Sequence, residues 1–286
     1  MKIGVYLPSM VPGVTRDVLL EWARRADLGP LSSLCVIDRV VYPGHDPLIA
    51  LAAAAAVTER IGLMSGVLLG PMRQTGILAK QIASIDALSG GRVTVGLGVG
   101  MRTDDFEAAS AAFKGRGKRF DDQILTLRRL WAGEPFSSEA GPVGPVPGQP
   151  GGPKILLGGF APTALDRVGR LADGFIASGA PAEARQEYDT VLRSWQAAGR
   201  SGQPRFVNAS YFVLGPDARS RLSTYAHDYY GFYPPYAELI AQYAPASVEE
   251  VRAAIAANEA VGVDELLFVP GVADPDQVDR LIGAIR

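Results

Sequence analysis

Residues 61–100 read IGLMSGVLLGPMRQTGILAKQIASIDALSGGRVTVGLGVG, and the reading of this stretch decides the fold. It opens with an apolar run, IGLMSGVLLG at 61–70, with the length and Leu/Val/Ile content of a strand covered on both faces. Leu78, Ile82, Ile85 and Leu88 then recur at spacings of four and three, the apolar stripe of a helix, and Gly90 and Gly91 stop it. A second apolar run, VTVGLGVG at 93–100, follows at once. Strand, helix and strand in that order join two parallel neighbours through a right-handed crossover.

The same unit repeats in both directions. IGVYLP at 3–8 and LCVID at 34–38 precede it; KILLGG at 154–159, GFIASG at 174–179, FVNASYFVL at 206–214 and ELLFVPG at 265–271 follow, which makes eight strands. Between them Phe120, Ile124, Leu127 and Trp131, then Tyr188, Val191, Leu192 and Trp195, repeat the helical stripe. Ser247 and Glu250 have capping-box spacing ahead of Val251 and Ile255. Asp274 and Pro275 offer an N-cap and a first-turn proline to a last helix striped by Val278, Leu281, Ile282 and Ile285. Eight strand–helix units predict an α/β fold, a (β/α)8 TIM barrel, with residues 1–286 as one domain. An open doubly wound sheet is the competing topology, and the regular eighth repeat argues against it.

Two segments break the rhythm. Residues 133–153 are crowded with glycine and proline and follow a helix, so they read as a connecting loop on the N-terminal face. Residues 216–245 follow the seventh strand and so begin on the C-terminal face, where barrel enzymes keep their chemistry. They carry Tyr225, Tyr229, Tyr230, Phe232, Tyr233, Tyr236 and Tyr243 together with His227, an inserted aromatic segment that reads equally as helix packing or as a pocket lid.

Composition excludes several classes. The formal net charge is −2 and the pI near 5.8, which argues against nucleic acid or an anionic membrane as partner. Cys35, the single cysteine, allows no internal disulfide, and in the run LCVI it reads as a buried hydrophobe. With only His45 and His227, a histidine metal site is not expected. MKIGVYLPSM is broken too early by Pro8 for a signal peptide, and the alanine run at 52–56 is too short to span a bilayer, so a cytoplasmic protein is expected.

Glycines crowd the predicted C-terminal strand ends: Gly66 and Gly70, then Gly96, Gly98 and Gly100, then Gly158 and Gly159, with Ser178 and Gly179 closing the sixth. Glycine there either lets a flat ligand approach the backbone or fits a crowded barrel mouth. In KILLGGFAPTALDRVGRLADGF a strand ends in two glycines and a helix starts near Pro162 and Thr163, so its first N–H groups form a natural phosphate site.

These segments resemble the luciferase-like monooxygenase family, whose members use FMN or the deazaflavin coenzyme F-420. The resemblance is carried by IDRVVYPGHDPLIALAAAAAVTERIGLMSGVLLGPMR, LAKQIASIDALSGGRVTVGLGVG, RGKRFDDQILTLRRLWAG and GGFAPTALDRVGRLADGF, and weakens in 133–153 and 216–245. It implies that Ser65, Gly66 and Val67 form a bulge behind the tricyclic ring, often with a cis peptide. It implies that Asp38 ends the second strand near the ring and that Gly98 and Gly100 border its pyrimidine side. Gly158, Gly159, Ala161 and Thr163 would cradle the phosphate, with Ser178 and Gly179 beside them. A small-molecule substrate, a homodimer and a separate flavin reductase belong to the same expectation.

Departures from the family pattern narrow it. Arg39 stands where several members have a histidine after the second-strand acid, and Met101 where the sugar-phosphate dehydrogenases have a glutamate. The phosphate-binding arginine of the light-emitting members would fall near Val99. Arg39 either pairs with Asp38 or Asp46, or stands as a permanent cation near the ring for a substrate carboxylate or an anionic reduced flavin. His45 and His227 are the candidates for proton transfer near neutral pH. The expected function is a flavin- or deazaflavin-dependent oxidoreductase or monooxygenase. A non-catalytic cofactor-binding barrel is the alternative. A cofactor-free isomerase or aldolase ranks last, for want of a lysine or carboxylate cluster at the strand ends.

Overall fold

The computed structural model describes all 286 residues. Its strands are β1 Lys2–Tyr6, β2 Ser33–Val36, β3 Gly62–Ser65, β4 Leu68–Leu69, β5 Val93–Gly98, β6 Lys154–Gly158, β7 Gly174–Ala177, β8 Arg205–Phe212 and β9 Glu265–Pro270. The helices are α1 Arg16–Leu28, α2 Pro47–Ala55, α3 Thr75–Leu88, α4 Thr103–Ala108, α5 Arg116–Trp131, α6 Pro162–Leu171, α7 Pro181–Ala197, α8 Ala218–Tyr229, α9 Pro234–Tyr243, α10 Val248–Ala260 and α11 Asp276–Ala284. Every strand pairing is parallel, and β1 lies between β2 and β9. β3 pairs with β2 on one side and β5 on the other, and β4 continues the contact with β5. β3 and β4 are therefore two halves of one strand of the barrel, and eight strands close on themselves. The open-sheet alternative is excluded by the β1–β9 and β3–β5 pairings.

The apolar surface divides into two bodies. Fifty buried residues, among them Trp22, Leu63, Ile82, Ile124, Phe175 and Phe268, fill the layer between strands and helices. A second set of 21, including Tyr6, Cys35, Met64, Val207, Tyr211, Leu222 and Tyr225, fills the barrel interior and runs up under α8 and α9. The strands alternate sides, so one strand feeds both bodies: Leu63 faces the helices and Met64 the interior.

Local chemistry sets the boundaries. Asp46 accepts the Leu48 and Ile49 N–H groups to start α2, and Ser247 accepts the Glu250 N–H to start α10. The reciprocal half of the expected capping box differs: the Glu250 carboxylate takes the N–H of Ala246 instead of Ser247. Leu88, read as part of the α3 stripe, is 78% exposed, because the last turn has run past the barrel wall. Residues 133–153 are the expected N-terminal-face connection, tied down where Gln149 donates to buried Asp86 and to the Val93 carbonyl. No helix is long and apolar enough to cross a membrane.

Candidate functional site

The interruption between β3 and β4 is the most particular feature of the barrel mouth. The Gly66–Val67 peptide is cis. Tyr6, at the end of β1, donates its hydroxyl to the Gly66 carbonyl at 2.7 Å, and a Cβ on Gly66 would run into that hydroxyl. Ser65 Oγ donates to the Gly96 carbonyl at 2.9 Å and accepts the Gly96 N–H at 3.0 Å, a side-chain stitch where the strand ladder fails. Val67 points between Gly98 and Gly158: Cβ atoms there would lie 2.7 and 3.1 Å from its methyl carbons. At these two positions the missing side chains make room for Val67, so the glycines shape the bulge before they shape any ligand surface.

Asp38 holds the second half of the interrupted strand. Its carboxylate is buried, accepts the Leu69 N–H at 2.9 Å and meets the Arg73 guanidinium at 3.1 Å. Arg73 reaches Asp46 as well, at 3.2 Å. Burial pushes the Asp38 carboxyl above the usual carboxylate range, while Arg73 pulls it back down. Of the two readings of Arg39, the pairing with Asp38 or Asp46 does not occur: Arg73, unnoticed in GPMRQ, takes both acids.

On the far side of the mouth, α6 starts at Ala161 and Pro162, and α7 at Ala180 and Pro181, and neither has a side-chain cap. Pro162 and Pro181 carry no N–H, and the Ala164 and Ala184 N–H groups bond back to the Ala161 and Ala180 carbonyls, so the Thr163 N–H of α6 and the Ala182 and Glu183 N–H groups of α7 are the ones left for a ligand or solvent. Gly159 has φ +152°, and Ala161 and Thr163 are exposed beside it. Ser178 and Gly179 close β7 next to this pair of helix starts, with their carbonyls taken by Tyr236 and Asn208.

Residues 216–245 form an antiparallel pair, α8 and α9, laid over the interior core. Tyr211 and Tyr230 share a hydroxyl–hydroxyl bond at 2.7 Å, and Tyr229 and Tyr230 pack edge-on at 4.9 Å. Burial pushes Tyr6, Tyr211, Tyr225, Tyr229 and Tyr230 well above the ordinary tyrosine value, so their hydroxyls remain protonated at neutral pH. Tyr225 and Tyr229 are buried, whereas Phe232 and Tyr233 at the tip are exposed.

Arg39 touches this insert. Its guanidinium donates to the Tyr229 carbonyl at 3.0 Å and to the Val41 carbonyl at 2.9 Å, and packs over Tyr42 and Tyr229. Asp105, buried at the start of α4, accepts the Val40 and Val41 N–H groups and fixes the loop that carries Arg39. Asp105 was legible only as one acid in RTDDFEA after the fourth strand, with nothing to mark it as inward-facing. The two histidines are not brought to the mouth's interior. His45 is exposed and meets the Val14 carbonyl at 3.4 Å; His227 is exposed on α8 and pairs with Glu238 at 3.0 Å, which raises its pKa. A cleft of about 630 Å3 lies between Lys154, Asp173, Arg205 and Asp264, at the N-terminal ends of β6 and β8 and remote from these groups.

The bulge, the buried acid after β2 and the uncapped α6 start occur together in a recognisable frame, and the luciferase-like monooxygenase model matches residues 1–284. The chain belongs to that family. Among relatives, an uncharacterized protein of Mycobacterium tuberculosis is 32% identical over 57% of this chain and 60% of its own length. A coenzyme F-420-dependent glucose-6-phosphate dehydrogenase of Beutenbergia cavernae is 31% identical, covering 72% of this chain and 64% of that protein. An FMNH(2)-dependent dimethylsulfone monooxygenase of Pseudomonas putida is 27% identical over 60% of this chain and 50% of its own. These matches span less than two thirds of the relatives' lengths. A monooxygenase structure from Streptomyces bottropensis superposes with a TM-score of 0.79 at 22% identity, covering 100% of this chain and 97% of the other, which shows the shared barrel. Luciferase-like proteins include flavin- and deazaflavin-dependent oxidoreductases, so a cofactor of that kind suits this family member.

Proposed function

We propose that this luciferase-like protein is an oxidoreductase that works with reduced FMN or coenzyme F-420 seated at the barrel mouth, on a small organic substrate. The observation that carries the reading is the pairing of two features across the mouth. One is a bulge at Ser65, Gly66 and Val67 fixed from behind by Tyr6 and from the side by Asp38; the other is the uncapped N-terminus of α6 beyond Gly159. A planar ring rests on the first and an anionic phosphate suits the second.

When bound, such a cofactor supplies hydride transfer or oxygen activation. The chain's own part is to bind and orient. Val67, held between Gly98 and Gly158, gives the ring an apolar backing. The start of α6 offers the phosphate the Thr163 N–H and the positive end of a helix dipole. The insert excludes water with Tyr229 and Tyr230, whose protonated hydroxyls donate and do not act as bases. Sugar-phosphate oxidation is not part of the proposal, because Arg39 and Met101 replace the histidine and glutamate that the resemblance assigns to that chemistry. A homodimer, and a separate reductase to supply reduced FMN, go with this reading.

Fluorescence titration of the purified protein with FMN, coenzyme F-420 and phosphate-free riboflavin tests it. Wild type binds FMN or F-420. Gly159→Val, which forces a branched side chain into a φ of +152° against Ala164, weakens that binding tenfold or more, about 1.4 kcal/mol, and leaves riboflavin unchanged. Failure of both phosphorylated cofactors to bind wild type, or equal affinity in a folded Gly159→Val variant, overturns the reading.

A further inference from the structure

Two arginines meet over one ring at the tip of the insert. Phe232 lies under the guanidinium of Arg102, 4.2 Å from its Cζ to the ring centroid, and within 5.6 Å of Arg39 Cζ. Phe232 itself sits between α8 and α9 and is 41% exposed. The Nε atoms of both arginines are buried and have no hydrogen-bond acceptor. Their charges are not equivalent. Arg102 bonds Asp104 and has Asp105 Oδ2 at 3.6 Å, so its cation is balanced nearby. Arg39 has no carboxylate: its bonds go to two backbone carbonyls, while Asp38 and Asp46 are held by Arg73 and Asp228 is bonded by the Tyr42 hydroxyl. A guanidinium has five N–H donors, and that of part-buried Arg39 spends only two of them on the protein, leaving donors and an uncompensated charge for an anion to meet.

We infer that Arg39 is the anion-recognising residue of the substrate site, and that Arg102, whose face Phe232 now covers, is the stacking platform beside it. The substrate class is a small acid: a flat, largely apolar body that takes the place of Phe232 against Arg102, carrying one carboxylate or similar oxyanion that meets the free edge of Arg39. Arginine suits both halves, because its plane stacks on aromatic faces and its fork matches a carboxylate. Arg39 directly follows Asp38, the residue that anchors the bulge, so an anion held there has its apolar end over the mouth. The assignment of this ligand as substrate rests on the cofactor reading above. The anion site itself stands on the geometry of the two arginines.

The test uses trans-cinnamate and its uncharged match cinnamamide as probes, with binding followed by saturation-transfer NMR on the protein with and without cofactor. Wild type prefers cinnamate over the amide by tenfold or more. Arg39→Met brings the two to parity, Arg39→Lys recovers part of the preference, and Phe232→Ala tightens both probes by vacating the platform. All variants melt cooperatively as folded proteins, and cofactor affinity, measured on the same variants, stays at the wild-type value. Equal binding of the two probes by wild type, no binding of either, or a cinnamate preference that survives Arg39→Met overturns the anion site, even where cofactor binds normally. If cofactor fails to bind but the Arg39-dependent preference persists, the anion site stands and the oxidoreductase reading falls.

Discussion

Replacing Asp38 by alanine should loosen the barrel where its third strand is interrupted, and the size of the effect follows from what the carboxylate holds. The Asp38 side chain is 1% exposed and Arg73 18% exposed. Removing the carboxylate orphans the Leu69 N–H, which costs about 1–3 kcal/mol for a buried donor. It also takes one of two acids from Arg73. Breaking a fully buried pair costs about 3–5 kcal/mol, but Arg73 keeps Asp46 at 3.2 Å and some water, so the lower part of that scale applies. A total of about 4 kcal/mol corresponds, with an unfolding entropy of about 2.1 cal/mol/K per residue over 286 residues, to a fall of about 7 °C in Tm. Arg73→Met strands the acid instead. Because burial already holds the Asp38 carboxyl high, that variant should recover stability as the pH is lowered and the carboxyl takes up a proton. Thermal melts of both single variants and the double variant close a cycle in which the pair is coupled by about 1.5 kcal/mol or more. Single variants that melt within about 1 °C of wild type, or effects that add to within about 0.5 kcal/mol, would refute the assignment of Asp38 as the anchor.

Glu187 on α7 is pushed up to about 7 by burial and by Glu183, so the folded state keeps a proton that the unfolded chain sheds above about pH 4.5. Stability from this group is complete below that pH and is lost as pH rises through 7. Glu187→Gln therefore leaves Tm unchanged at about pH 4.5 and raises it by about 1–2 °C at pH 8, the modest size reflecting solvent screening; the same shift at both pH values would contradict the burial argument. In the insert, Tyr229→Ala empties a buried site and should cost about 3–5 kcal/mol, whereas Phe232→Ala at the exposed tip should leave Tm within about 1 °C. Comparable losses in urea melts of the two variants would show that the tip, too, is part of the core.

The eight-strand count was legible because each strand of a barrel is covered on both faces, and the apolar runs are therefore continuous. Residues 61–70, read as one strand, are two with the bulge between, and only the glycine at 66 hinted at the break. The bulge, the strand–Gly–Gly–helix turn at 158–163 and Asp38 could be placed because short local strings carry them. What sequence could not supply was the partner of each charge. Arg39 lies one residue from Asp38 and seven from Asp46, yet both acids turn to Arg73, which comes from beyond the next strand. The histidines drew attention as titratable groups, but a side chain's chemistry says nothing about which way its helix or loop faces, and both face solvent. The aromatic insert illustrates the same limit: its composition left helix packing and a lid equally open, while only the fold divides it into Tyr225 and Tyr229 facing inward and Phe232 and Tyr233 facing out.

That division governs traffic. The base of the insert shares one continuous apolar body with Met64, Leu156, Val207 and Leu267 inside the barrel, so swinging the whole helix pair aside would wet the interior of the fold. Its outer end is attached by far less: the Tyr236 hydroxyl on the Ser178 carbonyl and the Phe232 ring under two arginines. The pair is a cantilever, fixed at its root and free at its end. Opening the mouth at 230–236 would therefore break fewer contacts than lifting the root at Tyr225 and Tyr229.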